Sequence, residues 1–330
     1  MSVIHGGHQH RAEVTRVICA SVSRVEGSVM NQLFEMRNRN CERPAGSSLS
    51  AALLYSAGWF VLWVEGQKGH VDTILQRTAL DPRHQHQKEI HRSHGPATLC
   101  EPLTVMATQA VERSTVFARR IYHFRELHKQ GGAQVPTAIW QRLSAPCAIR
   151  QAPGFGPQQR MALISAQDCG RLELLRKLGE RSHSPVIYQR IAGGRLKSSD
   201  VGISYLDTPL DGAVRRVQFI SRRALGFQLL RESLIGLDGL VLLLGERPSA
   251  AAELIGSLAC WLQELPRLGA LHLVSDDPEV ASQAAALLRE RIPARALPPM
   301  HLLQESQLAD FLGGATVAPA PRELPLCEAM

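Results

Sequence analysis

The histidines of this sequence occur in two groups whose spacing could allow them to bind a metal ion. One group of four occupies the segment from 84 to 94, and one of three lies near the N-terminus: His84, His86, His91 and His94, then His5, His8 and His10. Imidazole nitrogens bind zinc when three or four ligands converge with fixed geometry. Both segments are polar, and histidine is common on exposed loops. We therefore predict surface histidines here and no metal site.

A phosphate-binding loop is the second candidate. Such a loop needs GxxxxGK[ST], in which glycines let backbone amides wrap the phosphates, lysine neutralises them and a hydroxyl holds magnesium. After a predicted strand the chain offers SAQDCGRL, residues 165–172. Gly170 fits the pattern, and Arg171 keeps the charge without the geometry of lysine. Leu172 cannot bind magnesium, so we predict a degenerate nucleotide site without GTP hydrolysis.

The spacing of apolar residues predicts the elements of the first half. A hairpin is indicated at Ser56-Ala57-Gly58, a short break with glycine between two apolar runs. The predicted elements are strand 14–21, helix 25–39, strands 51–55 and 59–65, helix 71–80 and a polar helix at 108–129.

Two stretches of this half resemble the BLUF family, the sensors of blue light using FAD. The run AALLYSAGWFVLWVEG, from Ala51 to Gly66, matches the family's hairpin, and Asp81-Pro82-Arg83-His84 matches its Asp-x-Arg-His turn. The resemblance covers residues 13–107. It implies a ferredoxin-like α+β domain with a flavin pocket.

The same resemblance places different side chains at the family's photochemical positions. Its light-sensitive tyrosine falls on Cys19, and its hairpin glutamine falls on Leu62. In the family, the tyrosine passes an electron and a proton to the excited flavin, and the glutamine amide then rearranges its hydrogen bonds. An amide has donors and an acceptor, whereas leucine has neither. We therefore predict that the family's photochemistry is lost and that Cys19 and Leu62 pack in the core.

Other flavin-pocket positions are partly kept. The resemblance places the family's flavin-binding asparagine near Pro44, with Asn40 close by, while Arg83, His84 and Met106 remain. Unpaired polar atoms of a buried flavin would cost about 1–3 kcal/mol each. We therefore expect no cofactor, with FAD as the cofactor if the pocket still functions. For Arg83 and His84 we favour local hydrogen bonds at the end of a helix.

The second half changes to strands alternating with longer helices, which is typical of a doubly wound, mostly parallel α/β sheet. Predicted strands are 161–165, 214–220, 240–244 and 270–275, and predicted helices are 169–179, 225–235, 250–265, 278–291 and 304–312. Asp207 and Asp211 flank a proline-containing stretch and are predicted as turn residues. The pairs Arg215-Arg216 and Arg222-Arg223 are predicted as a solvated basic surface.

The order of these elements resembles a Ras-like small GTPase. The segment from Gly226 to Leu244 is similar to the helix and central strand that follow the switch region in that family. The family's Asp-x-x-Gly element is absent from 219–223, and its Asn-Lys-x-Asp element matches poorly at 275–278. The resemblance therefore implies a GTPase-like fold without its chemistry, and a generic doubly wound domain remains open as the alternative.

Composition sets the broad class of the protein. The net charge of +7 is spread without long basic runs, which argues against nucleic acid as a partner. Seven scattered cysteines without CxxC spacing favour a reducing cytoplasm over a disulfide framework. The longest apolar stretch, 49–64, is shorter than the ~20 residues that cross a bilayer, so no membrane is expected. No HExxH, GxSxG or GxGxxG motif is present, and no catalytic residue is predicted.

Together these patterns predict an α/β protein of two domains. The predicted divisions are a disordered lead at 1–12, a BLUF-like domain with capping helices at 13–129, a linker at 130–160, a P-loop GTPase-like domain at 161–313 and a disordered tail at 314–330. We predict a non-catalytic, cytoplasmic signalling or regulatory protein of bacterial type that acts through protein contacts, and a homodimer is open. The alternatives are an FAD-binding blue-light photoreceptor and a nucleotide-binding, GTPase-like regulator.

Overall fold

The computed structural model describes residues 13–41, 49–109, 112–132, 134–149, 159–166, 171–193, 200–210, 213–264 and 268–314. The chain divides into two compact units. Unit 1 comprises Met1–Ala107, Glu112–Ser144 and Ala192–Ser199, and unit 2 comprises Thr108–Val111, Ala145–Ile191 and Asp200–Met330. In the part of the chain that is described, no helix is long and apolar enough to cross a membrane.

Among the described residues, five strands form the sheet of unit 1. They are β1 (Glu13–Ser23), β2 (Leu49–Ser56), β3 (Trp59–Gly66), β4 (His84–Pro96) and β5 (Thr104–Thr108). Their order is β5-β2-β3-β1-β4, in which β5 pairs parallel to β2 and the other pairs are antiparallel. The order β2-β3-β1-β4 is the predicted ferredoxin-like arrangement. The predicted hairpin is confirmed as β2–β3, closed by Ala57 and Gly58 with φ of 49° and 81°.

In the described part of unit 1, four helices cover the two faces of this sheet. They are α1 (Val29–Cys41), α2 (Lys68–Leu80), α3 (Ser114–Lys129) and α4 (Pro136–Ser144). Apolar side chains of α1 and α2 pack on one face, which carries Val17, Cys19 and Phe60. On the other face, α3 contacts β4 and α4 contacts β1. The segment predicted as a linker at 130–160 therefore contains a helix, α4, whose Ile139, Trp140 and Leu143 are buried.

The described residues of unit 2 include seven strands, which form a mixed sheet. They are β6 (Gln159–Ser165), β7 (Ile187–Ala192), β8 (Val201–Leu210), β9 (Ala213–Ile220), β10 (Gly239–Leu243), β11 (Ala270–Val274) and β12 (Met300–Leu303), in the order β12-β11-β10-β6-β9-β8-β7. The pairs from β12 to β9 are parallel, and β7–β8 and β8–β9 are antiparallel. The predicted mostly parallel sheet is therefore shown only in part. The prediction missed β7 and β8 because polar and charged residues interrupt their apolar runs.

Five helices and two 3-10 turns accompany this second sheet in the residues that the structure describes. The helices are α5 (Arg171–Ser182), α6 (Gln228–Ser233), α7 (Pro248–Glu264), α8 (Pro278–Arg291) and α9 (Glu305–Gly313), and the 3-10 turns are Arg222–Gly226 and Ala294–Ala296. Leucines of α5 and α9 pack with side chains of β6, β8, β9 and β10 in one core. Helix α7 packs against α8, which contacts β11. The alternation predicted from sequence is confirmed for these helices.

His84, His86, His91 and His94 lie on strand β4, so the prediction of a loop is wrong for this group, although His86 and His94 are exposed as predicted. His5, His8 and His10 lie outside the described residues. His91 is 4% exposed; its Nε2 lies 2.8 Å from Ser93 Oγ, and its ring centroid lies 5.5 Å from that of His128 on α3. Among the described residues, no three His, Cys, Asp or Glu side chains come together as a metal site. Of this group, His91 contributes to the packing of α3 on the sheet.

Unit 1 is expected to lose stability in acid because of His91. Burial lowers its pKa to about 4, with further lowering by His128 and Arg16 and partial opposition by Glu89. The unfolded chain thus binds an extra proton between pH 6.5 and 4, so stability is complete above pH 6.5 and falls by up to about 3 kcal/mol as the pH drops to 4. Hydrogen exchange of β1 and β4, measured between pH 7 and pH 4, checks this expected loss of stability. His91→Gln should flatten the dependence and the exposed His94→Gln should not; equal slopes in all three proteins would contradict it.

Candidate functional site

The candidate site lies on the face of the unit 1 sheet beneath α1 and α2. Cys19 on β1 and Leu62 on β3 are cross-strand partners, and Leu62 is also paired with Leu53 on β2. Cross-strand partners point to the same face of a sheet, with Cβ atoms about 4.5–5.5 Å apart. The two side chains that the sequence placed at photochemical positions are therefore neighbours in the fold.

Leu62 packs against two apolar clusters at once. One cluster, beneath α1, includes Leu33, Leu53 and Phe60, and the other, beneath α2, includes Val71. Apolar side chains thus meet at the point where the two helices adjoin the sheet. Leu62 contributes packing there and no hydrogen bond, because its side chain has no polar atom.

The Cys19 thiol is held in its neutral form. It is 3% exposed, and burial together with the negative charge of Glu89 raises its pKa to about 12, against smaller lowering by Gln87 and Arg92. Thiolate is the reactive form of cysteine, so this group is a poor nucleophile at neutral pH. A thiol is also only a weak hydrogen-bond donor. Cys19 therefore supplies neither the redox chemistry nor the strong hydrogen bond of a tyrosine.

Gln87 on β4 places an amide beside this thiol, a contact that the sequence analysis missed. Its Nε2 donates to the backbone carbonyl of Leu75 at 3.3 Å, and its side chain also interacts with Cys19. Its Oε1 is buried and has no hydrogen-bond partner among the residues that the structure describes. The polar segment HQHQK around it resembles an exposed strand, so no pattern in the sequence marked one of its amides as buried.

His84 lies at the end of the same face. Its Nδ1 lies 2.8 Å from Ser21 Oγ on β1, and its ring centroid lies 4.8 Å from that of Phe60. Burial lowers its pKa, so the neutral ring is favoured. The prediction of purely local hydrogen bonds is wrong for His84, which joins the start of β4 to β1 across the face that carries Cys19.

Arg83 makes the local contacts that were expected of it. Its Nε donates to both carboxylate oxygens of Asp81, at 2.9 and 3.2 Å, and its backbone N–H donates to Asp81 Oδ1 at 2.9 Å. Hydrogen bonds from the Arg83 side chain lower the pKa of Asp81 to about 2. The Asp81–Arg83 pair closes the turn between α2 and β4, and the Arg83 guanidinium makes its hydrogen bonds within that turn.

Met106 does not join the other predicted pocket residues. It pairs with Leu54, whereas Cys19 and Leu62 align with Leu53 and Val105. Because alternate residues of a strand point to opposite faces, Met106 lies on the face away from Cys19. Its predicted place in the flavin pocket is therefore wrong.

Several predicted residues lie outside what the structure describes. The side chain of Asn40 is one of them, and so is Pro44. Gly170 also lies outside the described residues, and Arg171 begins α5 without a described side chain. The predicted nucleotide site therefore stays a prediction.

Two charged residues of unit 2 occupy the opposite of their predicted environment. Asp207, predicted as a turn residue, lies within β8 and is fully buried. Arg216, predicted as part of a solvated basic surface, lies within β9 and is 6% exposed. The two are cross-strand partners, and Arg216 Nε donates to Asp207 Oδ1 at 2.7 Å. Each charge can be buried because the other compensates it.

The side chains at Cys19 and Leu62 do not fit the demands of a photoactive isoalloxazine ring. The polar edge of such a ring needs donors for its carbonyl oxygens and an acceptor for its imide N–H. Leu62 offers neither, Cys19 offers a weak donor, and the ring of His84 is engaged by Ser21. Gln87 Oε1 is an acceptor without a partner in the described part of the chain. Among the described residues discussed above, this one acceptor does not replace the donors that Cys19 and Leu62 fail to supply.

One comparison with known proteins matches a part of the first unit. Residues 14–98 match the family model described as BLUF, sensors of blue-light using FAD. The comparison with curated proteins gave no match. Nothing in the comparisons supports the resemblance of residues 161–313 to Ras-like GTPases.

Similar solved structures include BLUF proteins with and without further domains. The BLUF domain of BlrP1 is 16% identical over 41% of this chain and 89% of that chain, with a TM-score of 0.26. A bacterial light-regulated adenylyl cyclase is 11% identical over 68% and 84%, with a TM-score of 0.27. Klebsiella pneumoniae BlrP1 in its manganese and cy-diGMP complex is 11% identical over 90% and 79%, with a TM-score of 0.25. TM-scores this low do not establish a common fold, so these structures carry no argument about this chain.

Proposed function

We propose, from the premise that residues 14–98 are a BLUF domain, that this chain is a regulatory protein that keeps the domain's fold and has lost its photochemistry. It acts through protein contacts, with light playing no part. One observation carries the proposal: Cys19 and Leu62 face each other, in register, on the sheet face beneath α1 and α2. Neither side chain can take the role that tyrosine or glutamine has in the resemblance.

The packing of Leu62 supports this proposal. A side chain that was only tolerated at the edge of a cofactor pocket would not need to contact both apolar clusters. Here Leu62 joins the cluster beneath α1 to the cluster beneath α2. Burial of apolar surface stabilises a fold by roughly 25 cal/mol per Å². The leucine therefore contributes to folding at the place where a glutamine would contribute to light sensing.

The experiment is a flavin titration of the purified full-length protein. Adding the protein to FAD should leave the fluorescence and the absorption bands of FAD unchanged, because the groups that would bind the polar edge of the ring are missing. A matched measurement uses Leu62→Gln, with the exposed Leu80→Gln as the control for the same chemical change. Saturable quenching of FAD fluorescence by the unaltered protein would overturn the proposal.

The double variant Cys19→Tyr, Leu62→Gln extends the test. It restores both photochemical side chains, at the cost of replacing a partly buried leucine that packs against both apolar clusters. We expect no reversible absorption change on illumination, even with added FAD. A photocycle in this variant would show that the rest of the site can still hold flavin, which would contradict the proposal.

The second candidate function is a flavin-binding light sensor that uses substitute groups. The unpartnered Oε1 of Gln87, beside Cys19, favours it, because a buried acceptor of this kind could accept the ring's imide N–H. Gln87→Leu separates the two functions. Under the light-independent proposal neither the unaltered protein nor the variant binds flavin. A loss of bound flavin in Gln87→Leu that the exposed Gln76→Leu does not show would support the sensor instead.

A further inference from the structure

A four-residue segment, Ala145–Ala148, is held by side chains of unit 2 immediately after α4 ends at Ser144. The carbonyl of Ala145 accepts a hydrogen bond from Arg216 Nη1 at 2.7 Å. The carbonyl of Pro146 accepts from Arg216 Nη2 at 3.2 Å and from the Tyr205 hydroxyl at 2.8 Å. We call this segment the strap.

The amide of the last strap residue is bound as well. The N–H of Ala148 donates to Asp207 Oδ2 at 2.8 Å. Three successive contact points along the strap, two carbonyls and one amide, therefore use buried side chains of β8 and β9. Backbone groups of an irregular segment usually find water, so this pattern marks a segment fixed in one conformation.

The three side chains that hold the strap also hold one another. Arg216 donates from Nε to Asp207 Oδ1 at 2.7 Å and from Nη2 to Oδ2 at 2.9 Å, and its guanidinium carbon lies 4.2 Å from the centre of the Tyr205 ring. Burial lowers the pKa of Arg216, but the charge of Asp207 more than offsets this and holds the pKa above its ordinary value. The guanidinium thus stays charged in the interior.

A buried ion pair of this kind adds little net stability compared with apolar residues of the same size. The pair does fix the orientation of its neighbours, because a guanidinium donates hydrogen bonds, and a carboxylate accepts them, only at fixed positions. Here the positions not used between Arg216 and Asp207 are used by the strap backbone. The pair therefore specifies where the chain that leaves α4 must lie.

We propose that Tyr205, Asp207 and Arg216 form a latch that fixes the strap, and that the strap opens as a single unit when the latch is weakened. The latch is a conformational device, distinct from the site around Cys19. In a regulatory protein, the latch determines whether the four residues that follow α4 are rigid or flexible. The inference stands on the contacts of unit 2 and does not depend on whether flavin binds.

Cys147 lies within the strap and reports on its state. Its thiol is half-buried, and its Sγ lies 3.6 Å from the carbonyl of Ile149. Burial raises its pKa, and the charge of Asp207 raises it further. Alkylating reagents attack the thiolate, so a closed strap protects this cysteine. Opening of the strap removes the burial and exposes the thiol.

The test measures alkylation of Cys147 by iodoacetamide in the native full-length protein, followed by mass spectrometry at each cysteine. Tyr205→Phe removes one strap hydrogen bond without changing a charge, and Cys147 should react about fivefold faster. Arg216→Lys keeps the positive charge but not the fork geometry, and should accelerate the reaction by at least about tenfold. Both variants leave Asp207 in place, so its effect on the thiol is retained.

Exposed Cys100 and Cys260 are internal standards whose rates should not change, and Arg222→Gln, at the exposed pair with Glu253, is the matched control. Circular dichroism checks that each variant is folded, and Tyr205→Phe alone decides the matter if Arg216→Lys unfolds. Rates at Cys147 that equal those of Cys100 and Cys260 in the unaltered protein would overturn the latch. So would a rate at Cys147 that is unchanged in the folded variants.

Discussion

Replacing Arg216 with methionine is expected to lower the free energy of unfolding of unit 2 by about 3–5 kcal/mol. The substitution leaves the fully buried carboxylate of Asp207 without its counter-charge, and it also removes the donors that bind the carbonyls of Ala145 and Pro146. Methionine fills the volume of the arginine stem, so the loss reports the uncompensated charge more than a cavity. Peptide-resolved hydrogen exchange of β8 and β9 measures the change.

Removing both charges should recover much of this loss. The double variant Asp207→Leu, Arg216→Met contains no buried charge, and replacement of a whole buried pair by apolar residues is often neutral. The exposed Arg222→Gln should change stability by less than about 0.5 kcal/mol. If Arg216→Met cost no more than Arg222→Gln, the buried pair would not have the compensating role assigned to it.

Truncation of Trp140 to alanine is expected to lower the free energy of unfolding of unit 1 by about 3–5 kcal/mol. Trp140 on α4 is 1% exposed, and its ring centroid lies 6.0 Å from that of Trp63 on β3. Loss of the indole removes buried apolar surface and leaves a cavity between the helix and the sheet. Hydrogen exchange of β1 and β3 is the measurement, since it does not rely on tryptophan fluorescence.

Leu80→Ala is the control for Trp140, because Leu80 is an apolar side chain that is 85% exposed. Its truncation should change stability by less than about 0.5 kcal/mol. A small effect at Trp140, comparable to that at Leu80, would mean that α4 belongs to a loose connecting segment after all. The large effect would establish the helix as part of the unit 1 core.

Local patterns were sufficient to predict much of unit 1. Apolar runs and a glycine-containing break specify the β2–β3 hairpin, because alternation and turn chemistry act within a few residues. The Asp-x-Arg-His turn was recognised by resemblance, and its Asp81–Arg83 contact is local. Met106 was misplaced because one residue of register moves a side chain to the other face of a strand.

Contacts between residues that are far apart in the chain could not be predicted from the sequence. Asp207 and Arg216 are in contact because of the register in which β8 and β9 pair, and no single residue of either strand predicts that register. The Oε1 atom of Gln87 is buried because β4 lies next to β1 beneath α2, and the polar sequence around it does not indicate this. In both cases the tertiary arrangement, and not the local pattern, decides which polar side chain is enclosed.

The central claim, a BLUF domain without BLUF photochemistry, is tested most directly by one light-minus-dark difference spectrum. The full-length protein is purified in the dark, supplied with FAD and illuminated with blue light. The buried Cys19 thiol is a poor proton donor and a weak hydrogen-bond donor, and the Leu62 side chain has no polar atom. We therefore predict a flat difference spectrum. A reversible shift of flavin absorption to longer wavelength, decaying in the dark, would contradict the claim.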